Sequence, residues 1–196
     1  MLISLTKNLN RFSATKSSYK TVSHNMKKNL EQINDQSLNR LIEFLNSGFE
    51  ILLESDLVAL LFHCYLLTEK ELLNKIHIET RILNIEQKRI DFAIGKVTNE
   101  NKRPSIKPEL VIECKIFSNG FTNSQLRKRF EYLKEDIEKI GLLKLNVPKF
   151  ILVFDYHNYL NHNRKFEIIQ LRNLTDKSIK IIRILKNNNQ YIKQQF

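Results

Sequence analysis

Two stretches decide how this chain is read: Arg89-Ile90-Asp91-Phe92-Ala93-Ile94-Gly95 and, after a polar gap, Glu109-Leu110-Val111-Ile112-Glu113-Cys114-Lys115-Ile116-Phe117. Each is an apolar run of strand composition with charge in its interior. Strands disfavour Asp, Glu and Lys, and such groups are rarely buried without a partner. Side chains alternate faces along a strand. Glu113 and Lys115 therefore project together, and Leu110, Ile112, Cys114 and Ile116 project the other way. In the earlier run Asp91 lies opposite Ile90, Phe92 and Ile94, on the face of Ala93 and Gly95. These small neighbours would leave room for an ion and a substrate. If the two strands pair, Asp91 and Glu113 can share a metal with Lys115 beside them.

Working outward, the helical spacing of Val22, Met26, Leu30 and Ile33, then of Leu38, Leu41, Ile42 and Leu45, predicts two helices between Val22 and Asn46. Ser37 would cap the second and Gly48 would end it. Residues 1 to about 20 read as a loose arm. Phe49 to Leu67 is apolar and leucine-rich, which predicts a buried helix. Ile76-His77-Ile78-Glu79 and Ile82-Leu83-Asn84-Ile85 read as strands around a turn at Glu86-Gln87-Lys88. Val97 to Pro108 reads as a loop. In Ser124 to Ile140 the stripe Leu126, Phe130, Leu133, Ile137, Ile140 predicts an amphipathic helix stopped by Gly141. Phe150-Ile151-Leu152-Val153-Phe154 is a strand buried on both faces. Phe166-Glu167-Ile168-Ile169 and Ser178 to Leu185 fit edge strands or a final helix, and Lys186 to Phe196 reads as frayed. The order predicts an α/β sandwich, a mixed sheet with helices on both faces.

Composition narrows the function classes. The 196 residues include 32 Lys+Arg against 21 Asp+Glu, a net charge of +11, which favours a polyanion such as nucleic acid, or an anionic membrane surface. Only 4 glycines are present, too few and too scattered for a Walker loop or a dinucleotide fingerprint. No apolar run is long enough to span a membrane, and the N-terminal residues do not form a secretion signal. The two cysteines, Cys64 and Cys114, cannot build a disulfide framework, and a reducing cytoplasm is the expected location.

Asp91 followed by Glu113-Cys114-Lys115, each set in an apolar strand, resembles the PD-(D/E)XK nuclease superfamily. The resemblance covers about Phe49 to Tyr156, with Ile90 where the signature often has proline. It implies a restriction endonuclease-like three-layer sandwich, with an N-terminal arm and helical extension over 1–48 and the nuclease-like domain over 49–196. It implies a Mg²⁺-dependent endonuclease (Mn²⁺ an acceptable substitute) that hydrolyses phosphodiester bonds in nucleic acid, DNA foremost. Asp91 and Glu113 would bind the metal and Lys115 would position or activate water. In such proteins a helix before the sheet often carries a further metal-site glutamate; Glu54 is the best match and Glu79 competes with it. The helix after the E-x-K strand often supplies a residue to the phosphate, here Gln125 or Arg129. A homodimer would permit double-strand cleavage. The alternative is a catalytically inactive nucleic-acid-binding or assembly protein that keeps the fold.

Competing readings of single residues are simpler. Asp91 and Glu113 could pair with Arg89 and Lys115 on a solvated sheet face, and Glu54 and Asp56 could serve only the start of their helix. Arg127, Lys128 and Lys134 suit a general basic face. His63-Cys64 suits packing rather than metal ligation, and His157 and His162 lack a zinc pattern. Cys114, facing away from Glu113, is a poor candidate nucleophile.

Overall fold

A computed structural model describes residues 15–82, 89–99, 104–117, 120–162, 171 and 177–196, with side chains from 30 onward except those of 161 and 162. Its centre is a six-stranded sheet in sequence order: β1 (Ile76–Arg81), β2 (Arg89–Thr98), β3 (Ser105–Phe117), β4 (Lys149–Asp155), β5 (Ile179–Asn187) and β6 (Gln190–Gln195). β1, β2 and β3 are antiparallel, β3, β4 and β5 run parallel, and β6 returns antiparallel to β5. The sheet is therefore mixed, and the chain is α/β.

Helices cover both faces. On one side α1 (Thr15–Asn46) and α2 (Glu54–Thr68) pack on Phe92, Ile94, Ile112, Cys114, Leu152 and Ile184. On the other α3 (Asn123–Gly141) packs on Val111, Ile151, Val153, Ile179 and Ile181. The stripe Leu126, Phe130, Leu133, Ile137 and Ile140 is fully buried, as its spacing predicts. Every residue of β4 is buried, as expected for a strand with parallel neighbours on each side and helices above and below. Its last residue, Asp155, is buried with Arg183 of β5 and accepts the Tyr159 and Leu160 amides that open the short α4 (Tyr159–His162). No described helix is long and apolar enough to cross a membrane.

Several elements depart from the periodicity reading. The two helices expected between Val22 and Asn46 are one, and it starts at Thr15, inside the expected arm. Ser37 is a fully buried interior residue rather than a cap. Asn34, Asp35 and Ser37 are weaker helix formers, yet Asn34 accepts the buried Tyr65 hydroxyl at 2.6 Å, so packing on α2 overrides local propensity. Gly48 does end the helix, at φ +101°, with the Gly48 and Phe49 amides bonded to Leu45 and Phe44 carbonyls in a Schellman pattern.

The helix expected from Phe49 begins only at Glu54, because the Asp56 carboxylate accepts the Leu52 and Leu53 amides at 3.0 and 2.8 Å and fixes the start. Within the loop expected over Val97 to Pro108, the described residues 97–98 and 105–108 are strand, paired as far as Thr98 with Ser105. The end expected to fray forms β6, joined to β5 through Asn188-Asn189. Both asparagines have positive φ, 47° and 63°, the geometry of a tight hairpin turn. The turn at 86–88, Leu83 to Ile85 and the run 166–169 lie outside the described residues.

Candidate functional site

The site begins with an irregularity in the β2–β3 hairpin. Ile94 pairs with Leu110 but Gly95 pairs with Pro108, so Glu109 is an extra residue and the ladder slips. A Cβ on Gly95 would lie 2.4 Å from the Lys107 carbonyl oxygen and 2.8 Å from Pro108 Cα. Gly95 is thus required by close strand approach, and not, as its smallness suggested, to clear space beside Asp91.

At the other end of the ladder the paired residues stop at Phe92 and Ile112. The next backbone donor, the Cys114 amide, is taken by Asp91 Oδ2 at 2.8 Å. A side chain replaces the strand-to-strand bond, and this places the Asp91 carboxylate beside β3. Strand alternation holds: Glu113 and Lys115 face the α3 side, while Cys114 is buried among the residues of the α2 side.

Glu113 is 1% exposed and Lys115 8%, so neither lies on a solvated sheet face, and the simple surface-pair reading fails for them. Arg89 pairs instead with Glu79, at 3.8 Å on the surface. Lys115 Nζ sits 2.8 Å from Asp136 Oδ2 and 3.3 Å from Glu54 Oε1. Glu54 Oε2 faces Arg129 at 3.4 Å. Glu113 Oε1 is 2.6 Å from Lys139 Nζ, which also reaches Asp136 Oδ1 at 3.2 Å.

Burial, and then the neighbouring Asp91 carboxylate, push the Glu113 carboxyl up to about 10; Lys139 offsets only part of this. Burial opposes charge on Lys115, but Asp136, Glu54 and Asp91 outweigh it and leave its pKa above the ordinary lysine value. Lys115 is therefore held as an ammonium. Glu54 is raised by burial and by Asp91, against the pull of Lys115 and Arg129. An open cleft of about 250 Å³ adjoins the group, lined by Glu54, Ser55, Val58, Ala59, Ile78, Glu79 and Asp91.

The structure thus gathers Asp91, Glu113, Lys115 and Glu54 where β2 leaves β3 and α2 begins. Glu54 enters with both oxygens facing cations. Glu79 lines the cleft with its backbone at φ +46° and an exposed side chain. Gln125 is elsewhere employed: its side chain accepts from the Thr122 amide at 2.8 Å and closes the capping box of α3. Arg129, one turn on, is the member of that pair that reaches the group.

Two participants, Asp136 and Lys139, escaped the sequence reading. They continue the helical spacing of Arg129 along the flank of the apolar stripe, and that signal was available. His63 is exposed and Cys64 buried, with the Cys64 thiol pushed up to about 12 by burial, so the two do not form a ligand pair. Burial likewise raises the Cys114 thiol far above its ordinary range.

No protein-family model matches this chain, and neither a curated protein nor a solved structure does.

Among the described residues no three His, Cys, Asp or Glu side chains form a ready-made metal cage. The Asp91–Glu113 pair nonetheless suits a hard cation. Mg²⁺ is held by one or two carboxylates and keeps several waters. The upward push of Asp91 on Glu113 is the mutual repulsion that a shared cation relieves.

Proposed function

We propose that the chain is a metal-dependent endonuclease with a restriction endonuclease-like core, acting on DNA. One observation carries this reading: Asp91, Glu113 and Lys115 meet at the parting of β2 and β3, beside Glu54 at the start of α2. A helix before the sheet, a helix after the E-x-K strand and a strand following it are what the PD-(D/E)XK resemblance leads one to expect. In those places stand α2, α3 and β4, and the net charge of +11 suits a polyanionic substrate.

In this reading Asp91 and Glu113 would hold Mg²⁺, and the ion would supply charge neutralisation at the scissile phosphate and a lowered pKa for a bound water. Lys115, kept protonated by Asp136 and Glu54, acts through its charge, orienting water and stabilising the pentacovalent phosphate. Glu54 positions Lys115 and Arg129 together, and the partly exposed Arg129 guanidinium suits a substrate phosphate.

The test is cleavage of linear, branched and single-stranded DNA and RNA with Mg²⁺ and with EDTA. Mg²⁺-dependent internal scission of DNA is expected; no scission of any substrate would overturn the reading. A second reading, a nucleic-acid-binding protein without catalysis, draws on the 2.6 Å contact that places Lys139 on Glu113. Calorimetry separates the two, since the inactive form predicts no binding of Mg²⁺ or Mn²⁺ at millimolar concentration.

A further inference from the structure

The E-x-K pattern supplies one lysine, but the ammonium in contact with Glu113 belongs to a different one. Lys139 Nζ lies 2.6 Å from Glu113 Oε1, 3.2 Å from Asp136 Oδ1 and 3.0 Å from the Arg89 carbonyl oxygen. Its side chain is 12% exposed and that of Glu113 is 2%, so solvent screens the contact poorly. Lys139 reaches Glu113 from α3, and so it is independent of the strand pairing that sets Asp91 against β3.

At pH 8 the buried Asp91–Glu113 pair holds one proton and one negative charge, and the Lys139 ammonium that balances this charge repels a divalent cation entering the pair. Asp136 offers Lys139 an alternative partner within reach, and its other oxygen is already occupied by Lys115 at 2.8 Å. We propose that Lys139 is the resident counter-ion of the Asp91–Glu113 pair, which a divalent cation must displace toward Asp136, so that α3 sets the cation affinity of the site. This rests on the metal-binding reading above. It makes Lys139 a positioning residue that weakens cation binding and returns charge to the site when the cation leaves.

The experiment is calorimetric titration of the full chain with Mn²⁺ at pH 8, comparing wild type with Lys139→Gln, Lys139→Arg and Lys134→Gln. Lys139→Gln is expected to bind Mn²⁺ about tenfold more tightly than wild type. Lys139→Arg keeps the charge and should stay within about threefold. Lys134→Gln makes the same charge change on the same helix, where the ammonium pairs with Glu131 at 3.0 Å, and should also stay within about threefold.

Unchanged or weaker binding by Lys139→Gln overturns the proposal, as does equal tightening by Lys134→Gln. Should Lys139→Gln fail to fold, acylation of Lys139 in wild type, read by mass spectrometry, takes its place. Labelling that rises as Mn²⁺ saturates supports displacement, and unchanged labelling overturns it. Failure of wild type to bind Mn²⁺ removes the metal reading itself. Binding by wild type without tightening in Lys139→Gln removes the counter-ion role alone.

Discussion

At the scale of single residues, Glu113 carries the most informative energetics. Its carboxyl is displaced from an ordinary 4.5 to about 10 by burial and then by Asp91. The folded chain therefore binds a proton there that the unfolded chain releases between those values. Stability contributed in this way is complete below the lower value and declines as pH rises through the window. In EDTA the melting temperature of wild type should fall between pH 5 and pH 9. Glu113→Gln, which cannot ionise, should flatten that decline. A decline of equal slope in both proteins would show that Glu113 does not cause it.

Residue-level legibility follows from the same physics. The shared face of Glu113 and Lys115, with Cys114 opposite, was readable because strand alternation has a period of two. Helical spacing puts Asp136 and Lys139 on the same flank of α3 as Arg129, but that this flank meets Glu113 and Lys115 depends on how α3 lies across the sheet, which the spacing does not state. Gln125 was misplaced for a nearer reason. Thr122-Asn123-Ser124-Gln125 is itself a capping-box sequence, and the box takes up the Gln125 side chain.

At the scale of elements, α3 and the β2–β3 hairpin hold the site. Leu133 is fully buried in the α3 stripe, and Leu133→Ala should cost about 2–5 kcal/mol in denaturant unfolding. Because α3 also carries Arg129, Asp136 and Lys139, the site should loosen with it. Gly95→Ala drives a methyl group into the Lys107 carbonyl and should cost about 1–3 kcal/mol, against a gain if the position were merely flexible.

The elements with clean periodicity, α3 and β4, were legible in position and burial. The extent of the hairpin was not. Val97 is 60% exposed, and the polar composition with Pro104 and Pro108 signals a loop even though Ile106, paired with Val97, is buried in the core. The Asn188-Asn189 turn was hidden in an Asn-rich tail, where composition suggested fraying although two asparagines tolerate the positive φ that a tight hairpin needs.

At the scale of the whole molecule, the α/β class and the helices on both faces were legible from element order alone. That α1 is one continuous helix sharing the core with α2 and the sheet was not, since its middle residues have weak propensity and are held by contacts distant in sequence, such as Asn34 with Tyr65. The +11 net charge predicts binding to nucleic acid that weakens steeply with salt, with log affinity falling linearly against log salt concentration. Affinity independent of salt would mean that the basic surface does not meet phosphate.

The central claim, that Asp91, Glu113 and Lys115 form one hydrolytic site, is tested most directly by Mg²⁺-dependent cleavage of DNA by Asp91→Ala, Glu113→Ala and Lys115→Ala, each checked for native folding by circular dichroism. The account predicts that each folded variant loses at least about a hundredfold in rate relative to wild type. Wild-type rates in any two of them would contradict it.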